Sequence, residues 1–228
     1  MPGLPCILFL FQRDIPLPCF VFSSLCARIS SAEISEKKFM KLIISDFFGV
    51  VIDEDGPSFF RQYLHENSHE VADQYFSHGD SGEMTMDEVI HLIAEHYKVD
   101  EEFLHNYMYT HPSFHRGYFD KLKEMKKEGV QIALLSNAPS GIVEYFLEKY
   151  DAASLFDKIY ISYQTHKLKP HKEAFDMVLD DFHLKPEDAL FIDDNKKNVD
   201  AATSFGLHVI QYKTEEQVIS ELNSYEKK

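Results

Sequence analysis

The sequence predicts an α/β fold: a parallel sheet with helices on both faces and a helical insertion directly after the first strand. Three observations predict it. Short continuous apolar runs recur at residues 42–45, 130–135, 158–162, 189–192 and 208–210, the pattern of strands buried on both faces. Amphipathic stretches with readable ends alternate with these runs. One long stretch, residues 57–114, contains no strand-like run and is rich in aromatics and histidines.

In chain order, Leu42, Ile43, Ile44 and Ser45 form the first strand. Within the insertion, Thr85-Met86-Asp87-Glu88 reads as a capping box, with Val89, Leu92 and Ile93 behind it at helical spacing. Asp100-Glu101-Glu102-Phe103 opens a second helix there. Residues 118–128 turn Leu122 and Met125 inward and lysines outward, with Gly129 as the stop. A helix over 141–150 has Pro139 near its start. Helices over 173–182 and 198–205 complete the set, the latter stopped by Gly206. The chain shows no internal repeat, low-complexity tract or linker.

A length of 228 residues suffices for one core domain and an inserted subdomain. The formal net charge of -15 repels nucleic-acid backbones and acidic lipid headgroups, so neither nucleic acid nor a membrane surface is an expected partner. A small anionic substrate stays compatible, because one lysine and a metal ion can make a pocket locally positive. A monomer or homodimer is the expected state. The three cysteines, Cys6, Cys19 and Cys26, form neither a CxxC pair nor a zinc spacing, and a reducing, cytoplasmic compartment is expected.

Residues 1–39 differ from the rest of the chain. Arg13, Asp14 and four prolines break their apolar run, which fits neither a secretory signal nor a bilayer-spanning helix. Met40 leads straight into the first strand and reads like a natural start. Residues 1–39 are therefore expected to be a dispensable extension, with a targeting segment as the alternative. The expected organisation is a core of 40–56 and 115–228, with 57–114 as a helical cap.

Ligands of open parallel sheets bind beyond the carboxyl ends of the strands. There the chain carries Asp46-Phe47-Phe48-Gly49 after the first strand and Ser136-Asn137 after the second. Lys167-Leu168-Lys169-Pro170 comes after the third and Asp193-Asp194-Asn195 after the fourth. Singly, each reads as a turn, a helix cap or a solvated surface. Together they bring three carboxylates, a hydroxyl and an ammonium to one edge. Clustered carboxylates repel unless a cation sits among them, and magnesium prefers such oxygen ligands.

This ordered set resembles the four motifs of the haloacid dehalogenase-like hydrolase superfamily. The resemblance runs from Met40 to the C-terminus and is to the branch with a helical cap, close to small sugar-phosphate phosphatases. Residues 42–51 fit the first motif and Leu134-Leu135-Ser136-Asn137 the second. Lys169-Pro170 with the following helix fits the third, and Phe191-Ile192-Asp193-Asp194-Asn195 with Asn198 fits the fourth. The resemblance implies a Rossmann-like sheet with the first strand central. It implies Asp46 as a nucleophile that forms an aspartyl-phosphate, and Ser136 and Asn137 as phosphate ligands. Lys169 would neutralise the transferring group and steady Asp46. Magnesium would be held by Asp46, the backbone carbonyl of Phe48, Asp193 and Asp194. No GxGxxG, P-loop or GxSxG signature supports a nucleotide cofactor or serine chemistry.

One position departs from the family. Where a second aspartate usually stands two residues after the nucleophile, this chain has Phe48. General acid-base help is worth about 10²–10⁴-fold, so a slow enzyme or a replacement acid from the cap is implied. Phe48 also keeps alive a 2-haloacid dehalogenase, whose family members often carry an aromatic there and need no magnesium. The pair Asp193-Asp194 favours phosphate chemistry over it. A third reading is a weakly active or non-catalytic phosphometabolite-binding protein. In the insertion, His65 with His69 and His111 with His115 have helical spacing but no evident third metal ligand. Residues 77–83 read as a polar, glycine-rich loop whose histidine is a candidate acid.

Overall fold

A computed structural model describes residues 40–66 and 68–225. The expectation for residues 1–39 lies outside them.

Five strands form one parallel sheet: β1 (Leu42–Ser45), β2 (Gln131–Ser136), β3 (Lys158–Ile161), β4 (Ala189–Asp193) and β5 (His208–Gln211). Their order is β3-β2-β1-β4-β5, so the first strand is central. The register pairs Ser45 with Leu134 of β2 on one side and with Ile192 of β4 on the other. The carboxyl ends of β1, β2 and β4 therefore lie side by side. The five expected strands are all present, within a residue or so at each end.

Alternation along β1 divides the core. Ile43 faces a cluster with Ile132, Leu134 and Leu190, while Leu42 and Ile44 face another with Ala133, Leu135 and Phe191, as a period of two requires. Helices α5 (Arg116–Lys127), α6 (Ile142–Lys149) and α10 (Glu215–Leu222) cover the first face. Helices α8 (Lys172–Phe182) and α9 (Lys196–Ser204) cover the second. A short α7 (Ser162–Thr165) follows β3. Neither α7 nor α10 was expected from the sequence.

Between β1 and α5 the long elements are all helical: α1 (Asp55–Phe59) running into a π-turn over Phe60–Leu64, then α2 (Ser68–Asp80), α3 (Met86–Tyr97) and α4 (Glu101–Thr110). Thr85 caps α3 as expected: its Oγ1 accepts from the Glu88 amide while Glu88 accepts from the Thr85 amide at 2.7 Å. Asp100 caps α4 by accepting from the Phe103 amide at 2.7 Å. Phe59, Phe60, Val89, Ile90 and Leu104 from this segment join the α5–α6 side of the core. No described helix is long and apolar enough to cross a membrane.

Two local expectations are corrected. Ser77–Asp80 is not loop but the last turn of α2, because tertiary contacts at Gly79 and Asp80 hold a segment of poor local propensity. His111 and His115 do not share a helix face: α4 ends before Pro112, and His115 caps α5. His111 instead pairs with Asp55 at 2.7 Å, and His115 with Asp53 at 2.9 Å. The side chain of His69 lies outside the described residues.

Candidate active site

Asp46 is the first residue past β1. Its amide donates to the Ile192 carbonyl at 2.9 Å, which carries the sheet pairing one residue beyond the strand. Its Oδ1 accepts from the Phe47 amide at 2.7 Å and from the Lys169 ammonium at 2.7 Å. The same ammonium donates to Asp193 Oδ2 at 2.8 Å. Asp46, Lys169 and Asp193 are 8%, 4% and 0% exposed. Two carboxylates from neighbouring strands thus share one buried cation.

Asp194 supplies a third carboxylate. One oxygen from each of Asp46, Asp193 and Asp194 lies within 4.8 Å of the others. Asp193 is locked in place: Asn195 donates to it through its amide at 2.8 Å, and Asn198 through Nδ2 at 3.0 and 3.2 Å. Gly49 lets Asp194 come close. Its φ is +74°, and a β-carbon there would stand 2.4 Å from Asp194 Oδ2, so only glycine satisfies both the backbone and the contact.

The charges do not balance. Burial and the neighbouring Asp193 and Asp194 push the Asp46 carboxyl well above its ordinary value, against the pull of Lys169. Burial, then Asp193, likewise raises Asp194. Burial alone would lower the Lys169 ammonium, but Asp193 and Asp46 hold it above its usual value, so it stays protonated. Three carboxylates face one ammonium, and a site of that composition, all oxygen donors, suits a hard divalent cation.

Ser136 ends β2 beside Asp46. Its hydroxyl is buried and has no hydrogen-bond partner among the described residues. Such a group costs about 1–3 kcal/mol unless something satisfies it. The side chain of Asn137 does what its motif did not announce. Its Nδ2 donates to the Lys169 carbonyl at 2.8 Å and its Oδ1 accepts from the Lys169 amide at 2.9 Å. That two-point clamp fixes the backbone from which the ammonium reaches Asp46 and Asp193.

Asp46, Ser136, Asn137, Lys169, Asp193 and Asp194 therefore gather at one sheet edge. Phe48 lies there too, its ring edge-on to Phe47 at 5.1 Å and to Phe146 at 6.3 Å. Sequence reasoning missed the fixing roles of Asn137, Asn198 and Gly49, and a supporting contact beneath: Tyr118 Oη meets Ser45 Oγ at 3.0 Å, 73 residues apart in the chain. It also missed two acidic groups, one at the end of the first core segment and one in the insertion. Asp80 and Glu54 are both pushed up to about 7, each by burial first; acidic neighbours add to this at Glu54, and at Asp80 Asp73 adds to it against the pull of Lys169. A cleft of about 660 Å³ opens beside Gly49 and Asp194, walled by Asp53, His115, Arg116 and Lys213.

Comparison with known proteins places the chain in a family. A family profile for haloacid dehalogenase-like hydrolases matches residues 43–212, more than half of the chain. The drimenol cyclase DrtB of Aspergillus calidoustus is 26% identical over 195 residues, covering 81% of this chain and 36% of that protein. A D-ribitol-5-phosphate phosphatase of Bacteroides thetaiotaomicron is 38% identical over 55 residues, 24% of this chain and 27% of that protein. The matched segments thus span about a third of these curated relatives' lengths. A HAD family enzyme of Bacteroides thetaiotaomicron, solved with magnesium and inorganic phosphate, superposes with a TM-score of 0.61 at 22% identity, over 76% of this chain and 94% of that one. At that identity the likeness speaks for the fold. The profile match over most of the sheet and its site establishes the family: this chain is a haloacid dehalogenase-like hydrolase.

Proposed function

We propose that this hydrolase is a magnesium-dependent phosphatase that cleaves a small phosphate monoester through an aspartyl-phosphate on Asp46. One observation carries the reading: three clustered carboxylates, two of them buried, share a single ammonium. A site built to attack carbon has no use for the surplus charge, whereas a dianionic phosphate and a divalent cation each have one. The fit to the cation rests on the donor set, with Asp46, Asp193, Asp194 and the Phe48 carbonyl as its ligands. When bound, the cation would offset repulsion between carboxylate and phosphate.

The chain's own residues do the rest. Asp46 attacks phosphorus along a line fixed by the Phe47 amide and the Lys169 ammonium. Lys169 spreads its charge between the nucleophile and the transferring group, and Asn137 keeps it there. Ser136 donates its unpartnered hydroxyl to a phosphoryl oxygen. Such positioning and electrostatics are what phosphoryl transfer needs. Residues 57–114 act as the cap that shapes the substrate cavity. Sugar phosphates are the first class to test, by analogy with the ribitol-phosphate phosphatase among its relatives.

The test is phosphate release from a panel of sugar phosphates, with and without magnesium. Release should need the metal and vanish in Asp46→Asn. Halide release from 2-haloacids in EDTA would replace this reading with dehalogenase chemistry, and inactivity on both with retained phosphate binding would leave a binding protein.

A further inference from the structure

We propose that Asp80, at the C-terminal end of α2, is the acid and base that the core lacks at Phe48. The proposal rests on the phosphatase reading and deepens it. In the first step Asp46 forms a bond to phosphorus, the bond to the leaving oxygen breaks, and the Asp80 carboxyl gives its proton to that oxygen. In the second, the Asp80 carboxylate takes a proton from water as the water oxygen bonds to phosphorus. The phosphorus–Asp46 bond breaks, returning the Asp46 carboxylate and inorganic phosphate.

The geometry of the α2 end carries the argument. Ser162 Oγ donates to the Asp80 carbonyl at 2.6 Å and accepts from the Ala138 amide at 3.1 Å. Asp80 is thereby tied to the loop that follows Ser136 and carries Asn137. Gly79 presses on the same loop: a β-carbon there would stand 2.4 Å from Pro139 Cγ. Six residues on, the Met86 amide donates to the Ser140 carbonyl at 3.2 Å. The segment is pinned at both ends against the second motif.

From that anchor the Asp80 carboxyl lies within the field of Lys169. It is partly buried and has no hydrogen-bond or ion-pair partner among the described residues. The charged groups facing it are Lys169, Asp73 and Glu54. Burial, with Asp73, pushes it up to about 7 against Lys169, which suits a group that must give a proton and take one back near neutral pH.

Two rivals on the same side fit less well. His78 is committed to Glu83 at 2.8 Å, and both are largely exposed. Glu54 is also raised to about 7, but after crowding its causes are Asp194 and Asp193. A bound cation would cancel that part and return Glu54 towards an ordinary ionised carboxylate. Nothing that raises Asp80 is a metal ligand.

The experiment compares wild type, Asp80→Asn, Asp80→Glu and Glu54→Gln on two substrates in magnesium. One is an alkyl phosphate, with a poor leaving group; the other is 4-nitrophenyl phosphate, whose leaving group needs no proton. For Asp80→Asn we expect kcat on the alkyl ester to fall about 100-fold or more. On the aryl ester a burst of one nitrophenolate per enzyme should survive, followed by slow turnover, because the hydrolytic step still lacks its base. Asp80→Glu should recover part of the alkyl activity, and Glu54→Gln should not reproduce the burst. Equal losses on both substrates with no burst, an unimpaired alkyl rate, or the burst pattern in Glu54→Gln instead would each overturn the proposal. An inactive wild type would refute the phosphatase reading itself, a separate outcome.

Discussion

Replacing Lys169 with methionine tests the electrostatics of the site without reference to turnover. Methionine keeps most of the buried stem and its place near the Phe191 ring, 5.6 Å from the ammonium. It removes the ammonium bonded to Asp46 and Asp193 at 2.7 and 2.8 Å. Taking one partner from a buried pair costs about 3–5 kcal/mol, and here two carboxylates lose it at once. At about 2–4 °C per kcal/mol for a domain of this size, the melting temperature should fall by roughly 10–15 °C in EDTA at pH 8. The sign with pH follows from the carboxyls. Asp46 and Asp194 already lie above their ordinary values, and losing Lys169 raises them further. Stability tied to a raised carboxyl is present at low pH and lost as pH rises through the folded value. The gap between variant and wild type should therefore narrow at pH 5 and widen at pH 8. Magnesium should stabilise the variant itself, by about 2.7 kcal/mol at a hundredfold excess over its dissociation constant. Calorimetry at both pH values, with and without magnesium, reads all three. A loss below about 1 kcal/mol, or one independent of pH, would refute the account of Lys169 as the counter-ion of a crowded carboxylate cluster.

Other substitutions probe single contacts. Ser136→Ala removes a buried hydroxyl that has no partner among the described residues, so the free protein should be as stable as wild type or up to about 1 kcal/mol more so. The same variant should lose the thermal shift that inorganic phosphate gives wild type; a clear destabilisation would mean the hydroxyl is structural. Gly49→Ala forces a β-carbon to 2.4 Å from Asp194 Oδ2 at a φ of +74°. We expect a cost of roughly 2–4 kcal/mol and a higher magnesium requirement, read by denaturant melts and metal titration; a neutral variant would show that Asp194 has room to move. Asp80→Asn should flatten part of the pH dependence of stability. The carboxyl, pushed up to about 7, keeps its proton when the unfolded chain has lost it, so wild-type stability drains away between about pH 4 and 7. The variant should match wild type near pH 4 and exceed it at pH 8, by about 4 kcal/mol unscreened and on the order of 1–2 kcal/mol after solvent screening. Equal melting curves at pH 8 would refute the raised value.

The sheet and the acidic half of the site were legible because both are local in sequence. Each strand is a continuous apolar run, and each carboxylate ends or directly follows its strand, so topology alone brings Asp46, Asp193 and Asp194 together. Helix α10 carries a legible start as well: Thr214 and Gln217 form a capping box, the same signal as at Thr85. The α2 end was not legible. Residues 77–83 look like loop by composition, and only Ser162 and Pro139, some 60–80 residues on, make a helix end of them. The same limit hid the Asn137 clamp on Lys169, which joins groups 32 residues apart, and the placing of Asp80. Phe48 was readable as a departure from the family, but which group answers it is a property of the folded insertion.

The central claim is that Asp46 accepts a phosphoryl group in a site completed by magnesium. Its most direct measurement is the time course of inorganic phosphate release from sugar phosphates by wild type and Asp46→Asn, in magnesium and in EDTA. The account predicts release by wild type in magnesium alone, and none above background in the other three arms. Release that persists in EDTA, or in Asp46→Asn, would contradict it.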